Sequence, residues 1–88
     1  MSDIKFTEEA WNQYIDIQTY DKKMANKINR LIKDMLRNPY DGIGHPEVLK
    51  ENLSGFYSRH IDDKNRLVYD VKDDVIEIVS CKNHYNDK

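Results

Sequence analysis

The sequence predicts a single α+β domain of order β-α-α-β-β-β, with two N-terminal helices packed on one face of a small, mainly antiparallel sheet. Three observations carry that reading. Apolar residues recur at spacings of three and four over 24–36, the pattern of an amphipathic helix. Short apolar-rich segments follow at 56–61, 67–71 and 75–81, each set off by a polar turn. The whole chain has 88 residues, enough for one modest core, so residues 1–88 form one domain.

Residues 4–6, Ile-Lys-Phe, read as a first strand. Thr7 is placed to cap a helix, with Glu8 and Glu9 in the first turn, where exposed amides favour anions. Phe6 and Trp11 have the spacing of a hydrophobic staple. Trp11, Tyr14, Ile15 and Gln18 are expected to line one face of this helix through Thr19. Asp21 caps the second helix, whose apolar face is Met24, Ala25, Ile28, Leu31, Ile32, Met35 and Leu36. Its other face carries Lys22, Lys23, Lys27, Arg30, Lys33 and Arg37, either a solvated face or a contact for RNA phosphates or an acidic partner. Pro39 stops the helix, because the residue before a proline is disfavoured from the helical region.

Residues 38–47 are the one long loop and hold both prolines and two of the three glycines. A short strand or bridge is expected at 49–53, then a turn at Ser54-Gly55. In the strand over 56–61, Tyr57, Arg59 and Ile61 share one face and Phe56, Ser58 and His60 the other. Residues 62–65 make a turn, and an acidic turn joins the two strands that follow. The last strand is apolar on both faces, which places it near the sheet centre.

No apolar run approaches the roughly 20 residues that span a bilayer, and the N-terminus lacks a signal peptide's basic and apolar regions. The expectation is a cytoplasmic protein that does not contact membrane. A single cysteine excludes an internal disulfide and a cysteine-rich zinc site. The three histidines have no metal-ligand spacing, so no metal and no cofactor is expected. The net charge of −2 hides a pattern. Residues 1–21 carry five acids against one base, residues 22–66 ten bases against six acids, and residues 67–88 five acids against three bases. A basic middle between acidic ends is either ordinary surface charge or a basic face on an acidic protein.

The groups able to do chemistry stand at element ends: Glu47, Lys50, Arg59, Arg66, His84 and Tyr85. If the last two strands pair antiparallel, Arg66 and His84 come to the same edge of the sheet. RNA carries its own nucleophile in the 2′-OH, so its cleavage needs only a proton acceptor, cations facing the phosphate and a proton donor. Tyr57 and Tyr85 are candidates for stacking on bases. The plainer alternatives are a turn arginine paired with an acid at 66 and surface histidines at 45 and 84.

The runs Asn52-Leu53-Ser54-Gly55-Phe56-Tyr57-Ser58-Arg59, Pro46-Glu47-Val48-Leu49-Lys50, Arg66-Leu67-Val68-Tyr69 and Cys81-Lys82-Asn83-His84-Tyr85 narrow this further. With them the chain resembles the YoeB/Txe branch of the RelE/ParE toxin superfamily, ribosome-dependent mRNA interferases of bacterial toxin–antitoxin modules. The resemblance covers nearly the whole chain. It implies a RelE-like fold with Glu47 as general base, His84 as general acid and Arg66 stabilising the scissile phosphate. Tyr85 would orient substrate, with Lys50, Tyr57 and Arg59 as supporting groups. It further implies a 2′,3′-cyclic phosphate and a 5′-hydroxyl as products, and the 70S ribosome and mRNA as partners. A cognate YefM/Axe-like antitoxin would neutralise the toxin, operator DNA would be met only through that antitoxin, and the toxin would self-associate as a homodimer. The sequence departs from the family pattern in its mildly acidic balance and in Asn86-Asp87-Lys88, which follow the His-Tyr pair. The competing reading is a non-catalytic ribosome- or antitoxin-binding module of the same fold.

Overall fold

Short-range chemistry sets the helix ends. Thr7 is extended, and its hydroxyl accepts from the Ala10 amide at 3.1 Å, which starts α1, Glu8–Tyr20. Asp21 ends α1 and caps α2, Lys22–Arg37, its carboxylate accepting from the Met24 amide at 3.1 Å. Asn38 is extended before Pro39 and closes α2. The computed structural model describes residues 3–50 and 55–82. Its strands are β1 Asp3–Phe6, β2 Glu47–Val48, β3 Tyr57–His60, β4 Arg66–Lys72 and β5 Val75–Ser80.

The strands form one sheet in the order β1-β5-β4-β3-β2. Three neighbouring pairs are antiparallel, and β1 joins β5 in parallel with Asp3 opposite Val75. The most apolar strand thus lies inside the sheet, as its sequence demands, flanked by β1 and β4. Between β4 and β5 the register slips by one residue, with Tyr69 opposite Ile78 but Val68 opposite Ser80. Val79 is the extra residue of a bulge, which bends β5 as it leaves the sheet.

Both helices cover one sheet face. From α2, Ala25, Ile28, Leu31 and Met35 are buried, and they meet Leu67, Tyr69, Ile76 and Ile78 from the central strands. The contribution of α1 differs from expectation. It buries Ala10 and Ile17, while Trp11 and Ile15 are 47% and 43% exposed. The helix is turned about one residue from the apolar stripe because it docks through polar contacts at the end of β5. Gln13 Oε1 accepts from the Cys81 amide at 2.9 Å, and the Cys81 thiol sits 3.7 Å from the Ala10 carbonyl. The staple survives at the margin, with the Phe6 and Trp11 rings 5.4 Å apart.

The strand expected at 49–53 is instead the two-residue β2, which starts two residues earlier, at Glu47. One further ladder bond, from the Leu49 amide to the Phe56 carbonyl at 2.8 Å, continues it, and 51–54 lie outside the described residues. Among the described residues, no helix is long and apolar enough to cross a membrane.

The β4–β5 hairpin turns on Asp73 and Asp74, both left-handed, with φ of 52° and 64°. This is the geometry of a type I′ turn, which suits the twist of paired strands but favours Asn or Gly over Asp. Asp74→Gly is expected to stabilise the fold by about 0.5–1 kcal/mol, seen as a higher urea midpoint at unchanged slope.

Candidate functional site

The site begins with the loop that carries the chain from α2 to β2. Asn38 and Asp41 fold it locally, their side chains accepting from the amides of Tyr40 at 3.1 Å and Gly42 at 2.8 Å. Two glycines let it lie flat against the domain. Gly42 has φ of 129°, and a Cβ there would run into the Asp34 carboxylate. Gly44 has φ of 82°, and its Cβ would come within 2.7 Å of Leu31 Cδ2 and 3.2 Å of the His60 carbonyl. The close approach at Gly44 is what allows its carbonyl to accept from the His60 amide at 2.7 Å.

Beneath the loop lies Arg59, fully buried. Each of its five N–H groups has an acceptor. Nε donates to the Tyr69 hydroxyl at 3.1 Å. One terminal nitrogen donates to Asp34 Oδ2 at 2.8 Å and the Ile43 carbonyl at 3.2 Å. The other donates to the carbonyls of Asn38 at 2.8 Å and Asp41 at 3.0 Å. Tyr69 in turn donates to the Pro39 carbonyl at 2.8 Å. The Arg59 hydrogen bond, and after it the Ile43 amide, hold the Asp34 carboxyl below the usual carboxylate range. Burial pushes the Tyr69 phenol up, against the pull of Arg59.

This corrects the expectation for Arg59. It is no supporting group for a phosphate, because it has neither a free donor nor an open path to solvent. Tyr57 shares its face of β3, the side of the helices. The Tyr57 ring is half-buried between Tyr40 and Tyr69, at centroid distances of 5.4 Å and 5.7 Å. Both residues therefore point away from Glu47.

Glu47 and Arg66 occupy the other face. Glu47 is opposite Ser58, Ser58 is opposite Val68, and Arg66 stands two residues along from Val68. The two charged groups are separated by two strand spacings, about 10 Å laterally. Ser58 and Val68, both buried, form the floor between them. Glu47 is exposed. Arg66 is half-buried, and one terminal nitrogen is anchored on the carbonyls of Asp62 at 3.0 Å and Asn65 at 3.2 Å. Asp62 fixes that turn by accepting from the amides of Lys64 at 2.9 Å and Asn65 at 2.8 Å. Burial raises the Asp62 pKa, but these bonds outweigh it and leave the carboxyl below its ordinary value. Among the described residues, Nε and the second terminal nitrogen of Arg66 make no hydrogen bond.

His60 was not anticipated as a site residue. It is opposite Arg66 on the same face, and the strand alternation that grouped it with Ser58 was the available signal. Lys50 is exposed just past the β2–β3 ladder. His84 and Tyr85 lie outside the described residues. Gln13 holds the Cys81 amide and the Ser80 hydroxyl donates to the Lys82 carbonyl at 3.0 Å, at the sheet end where β4 begins with Arg66. Cys81 is no nucleophile, since burial pushes its thiol up to about 12. A carboxylate facing a guanidinium and an imidazole across a closed floor suits a substrate with one acidic proton and one phosphate.

Known proteins resemble the chain over most of its length. A family model described as "YoeB-like toxin of bacterial type II toxin-antitoxin system" matches residues 6–85. Toxin YoeB of Synechocystis sp. is 51% identical over 82 residues, 93% of this chain and 95% of that protein. A YoeB/ParE toxin from Agrobacterium tumefaciens superposes with a TM-score of 0.92 at 36% identity, covering 94% of this chain and 99% of the other. YoeB of Staphylococcus aureus, solved in a heterotetrameric YoeB-YefM complex, gives 0.87 at 50% identity, over 97% and 99% of the two chains. A YoeB dimer from Staphylococcus aureus gives 0.87 at 50%, over 96% and 98%.

The two arginines separate in their expected effects. Arg59→Ala removes five hydrogen bonds and the ion pair with Asp34 and is expected to cost about 3–5 kcal/mol of stability. Arg66→Ala is expected to cost less than about 1 kcal/mol, both read from urea unfolding. Acid should act through Asp34 and Asp62. Their folded pKa values are lowered, so the unfolded chain binds more protons in acid, and the stabilisation present above about pH 4 is lost as pH falls through the folded values. Asp34→Asn should lower the urea midpoint at neutral pH and flatten its fall below about pH 4.

Proposed function

This chain belongs to the YoeB-like toxin family of bacterial type II toxin–antitoxin systems, and on that premise we propose that it is an endoribonuclease that cleaves mRNA on the ribosome. The observation that carries the reading is the placement of Glu47 and Arg66 on one sheet face across a buried floor. Glu47 removes the proton of the 2′-OH, and the 2′-oxygen attacks the adjacent phosphorus. Arg66, anchored at one nitrogen, turns its remaining donors to the non-bridging oxygens as they gain charge. The P–O5′ bond breaks, and His84 gives its proton to the departing oxygen. The products are a 2′,3′-cyclic phosphate and a 5′-hydroxyl. No metal is required, because the nucleophile belongs to the substrate and the charge is met by protein donors. Lys50 and Tyr85 support the substrate. Tyr57, at the margin of the opposite face, supports the fold.

The Staphylococcus aureus relatives form a complex with YefM and a dimer. By analogy, this protein is held inactive by an antitoxin of the YefM/Axe type, meets operator DNA only within that complex, and self-associates. Its work is done in the cytoplasm, where ribosomes are.

The test is to map mRNA ends after incubation with translating ribosomes, with and without EDTA. Wild type should cut in both conditions and leave cyclic phosphate ends. Glu47→Gln and His84→Gln should each slow cleavage by about a hundredfold or more, and Arg66→Ala by a similar factor, with the fold retained. The rate should follow a two-ionisation pH profile. Cleavage by the Glu47→Gln/His84→Gln double variant at the wild-type rate would remove the assigned roles. Translation arrest without cut mRNA would leave a ribosome-binding module in their place.

A further inference from the structure

We propose that His60, buttressed by His45, is a phosphate-contacting side chain of this site and adds a second positive charge beside Arg66 when protonated. The inference rests on the reading of the site as one that holds an RNA phosphodiester. Four observations place His60 there. It is directly opposite Arg66 across the β3–β4 pair, a position in which facing side chains lie about 4.5–5.5 Å apart at Cβ. It is two residues along β3 from Ser58, the residue opposite Glu47, so it stands on the site face between the carboxylate and the guanidinium. It is half-buried. Its backbone is pinned by the 2.7 Å bond from its amide to the Gly44 carbonyl.

The second imidazole belongs to the same arrangement. The His45 ring meets the His60 ring edge-on, 5.6 Å between centroids and 68° between planes. His45 is itself in a left-handed conformation, with φ of 52°, and is followed by Pro46. A residue that is neither Gly nor Asn is held there at some cost, by the same loop that sets Glu47 two residues later. The pair therefore forms one wall of the site, and His45 fixes the ring of His60 as a positioning residue.

Among the described residues, four charged or titratable groups stand around His60 on the elements packed against it. On β4 there is Arg66, a cation that an anionic ligand would share with His60. On β2 there is Glu47, diagonal across the face. On the turn after β3 there is Asp62, whose carboxylate is engaged by the Lys64 and Asn65 amides. On the loop there is His45. A phosphate drawn to this cluster gains an extra charge-assisted hydrogen bond once His60 is protonated. Substrate binding should then strengthen as pH falls through the imidazole range.

The test uses the full chain and a 2′-deoxy dinucleotide, which carries the phosphodiester but cannot be cleaved. Binding is followed by NMR of the imidazole and amide signals across about pH 5.5–8, the range in which imidazole titrates. Wild type should bind roughly tenfold tighter at the acidic end, with the His60 ring signals shifting on saturation. His84 is also an imidazole, so the variants decide. His60→Gln should lose most of the wild-type pH slope. His60→Arg should bind tightly at every pH with a flattened slope. His45→Gln should keep a slope of reduced size. Thermal melts of each variant close to wild type show that the fold is intact. A His60→Gln protein that keeps the full slope, a His60→Arg protein that fails to restore affinity, or no binding by wild type overturns the proposal. The probe is never cut, so these outcomes stand apart from the cleavage assay. A protein that binds with this slope but never cleaves mRNA would sink the nuclease reading alone.

Discussion

The structure depends on one buried guanidinium. Arg59 is an arginine with no exposed surface, and a buried cation is tolerated only when its charge and all its donors are met. Here they are met by groups from three places: Asp34 on α2, three carbonyls of the loop after it, and the Tyr69 hydroxyl on β4. Those three carbonyls belong to a segment that forms neither helix nor strand. Without Arg59 they would have to be left to water or unpaired. The guanidinium thus gives a loop the definition of a secondary element. Because that loop ends at Glu47, the placement of the carboxylate follows from a residue that never meets a ligand.

The sheet divides the remaining work between its faces. Leu67, Tyr69, Ile76 and Ile78 point to the helices and carry the core. Glu47, His60 and Arg66 point the other way. Because side chains alternate along a strand, a one-residue slip of β3 would exchange the buried Arg59 for His60 and lose both functions at once. Several features oppose such a slip. The Asp62 turn fixes the β3–β4 register through four hydrogen bonds to its side chain from Lys64 and Asn65. The type I′ hairpin fixes β4 against β5, and the pairing of β1 with β5 brings the start of the described chain against its last strand.

Much of this was legible in the sequence. The caps at Thr7 and Asp21, the apolar face of α2, the three-strand meander and the interior place of β5 all follow from local rules about termini and periodicity. Alternation also grouped Arg59 with Tyr57 and His60 with Ser58. What alternation cannot say is which group faces the core. Ser58 is small enough to be buried on either side, and an arginine in a chain that resembles a nuclease reads as a ligand for phosphate. Only the position of Asp34, 25 residues earlier on α2, decides that Arg59 points inward. The rotation of α1 had the same kind of cause. Trp11 and Ile15 form the more apolar stripe, yet Gln13 has a partner at the end of β5, and the helix turns to reach it. Long-range polar pairing overrode local hydrophobicity in both places. The roles of His84 and Tyr85 rest on the family resemblance and lie outside the described residues.

The acidic balance of the chain is compatible with a polyanionic substrate because of where the acids stand. On the face of Glu47 and Arg66, Asp70 is directly opposite Glu77, and Asp73 and Asp74 cap the hairpin beyond them. That is the end of β4 remote from Arg66. Lys5, opposite Glu77, offsets only part of it. The same face is thus acidic at the hairpin end and cationic at the end that holds Arg66. A phosphate is repelled along most of the strand and finds attraction at one end, so the field narrows the place where it can rest. Net charge speaks to encounter rate over distances of about a Debye length, whereas the choice between the two ends of one strand is made at contact. A mildly acidic chain can therefore be slow to collect free RNA and still hold a phosphate in one place once the RNA is delivered.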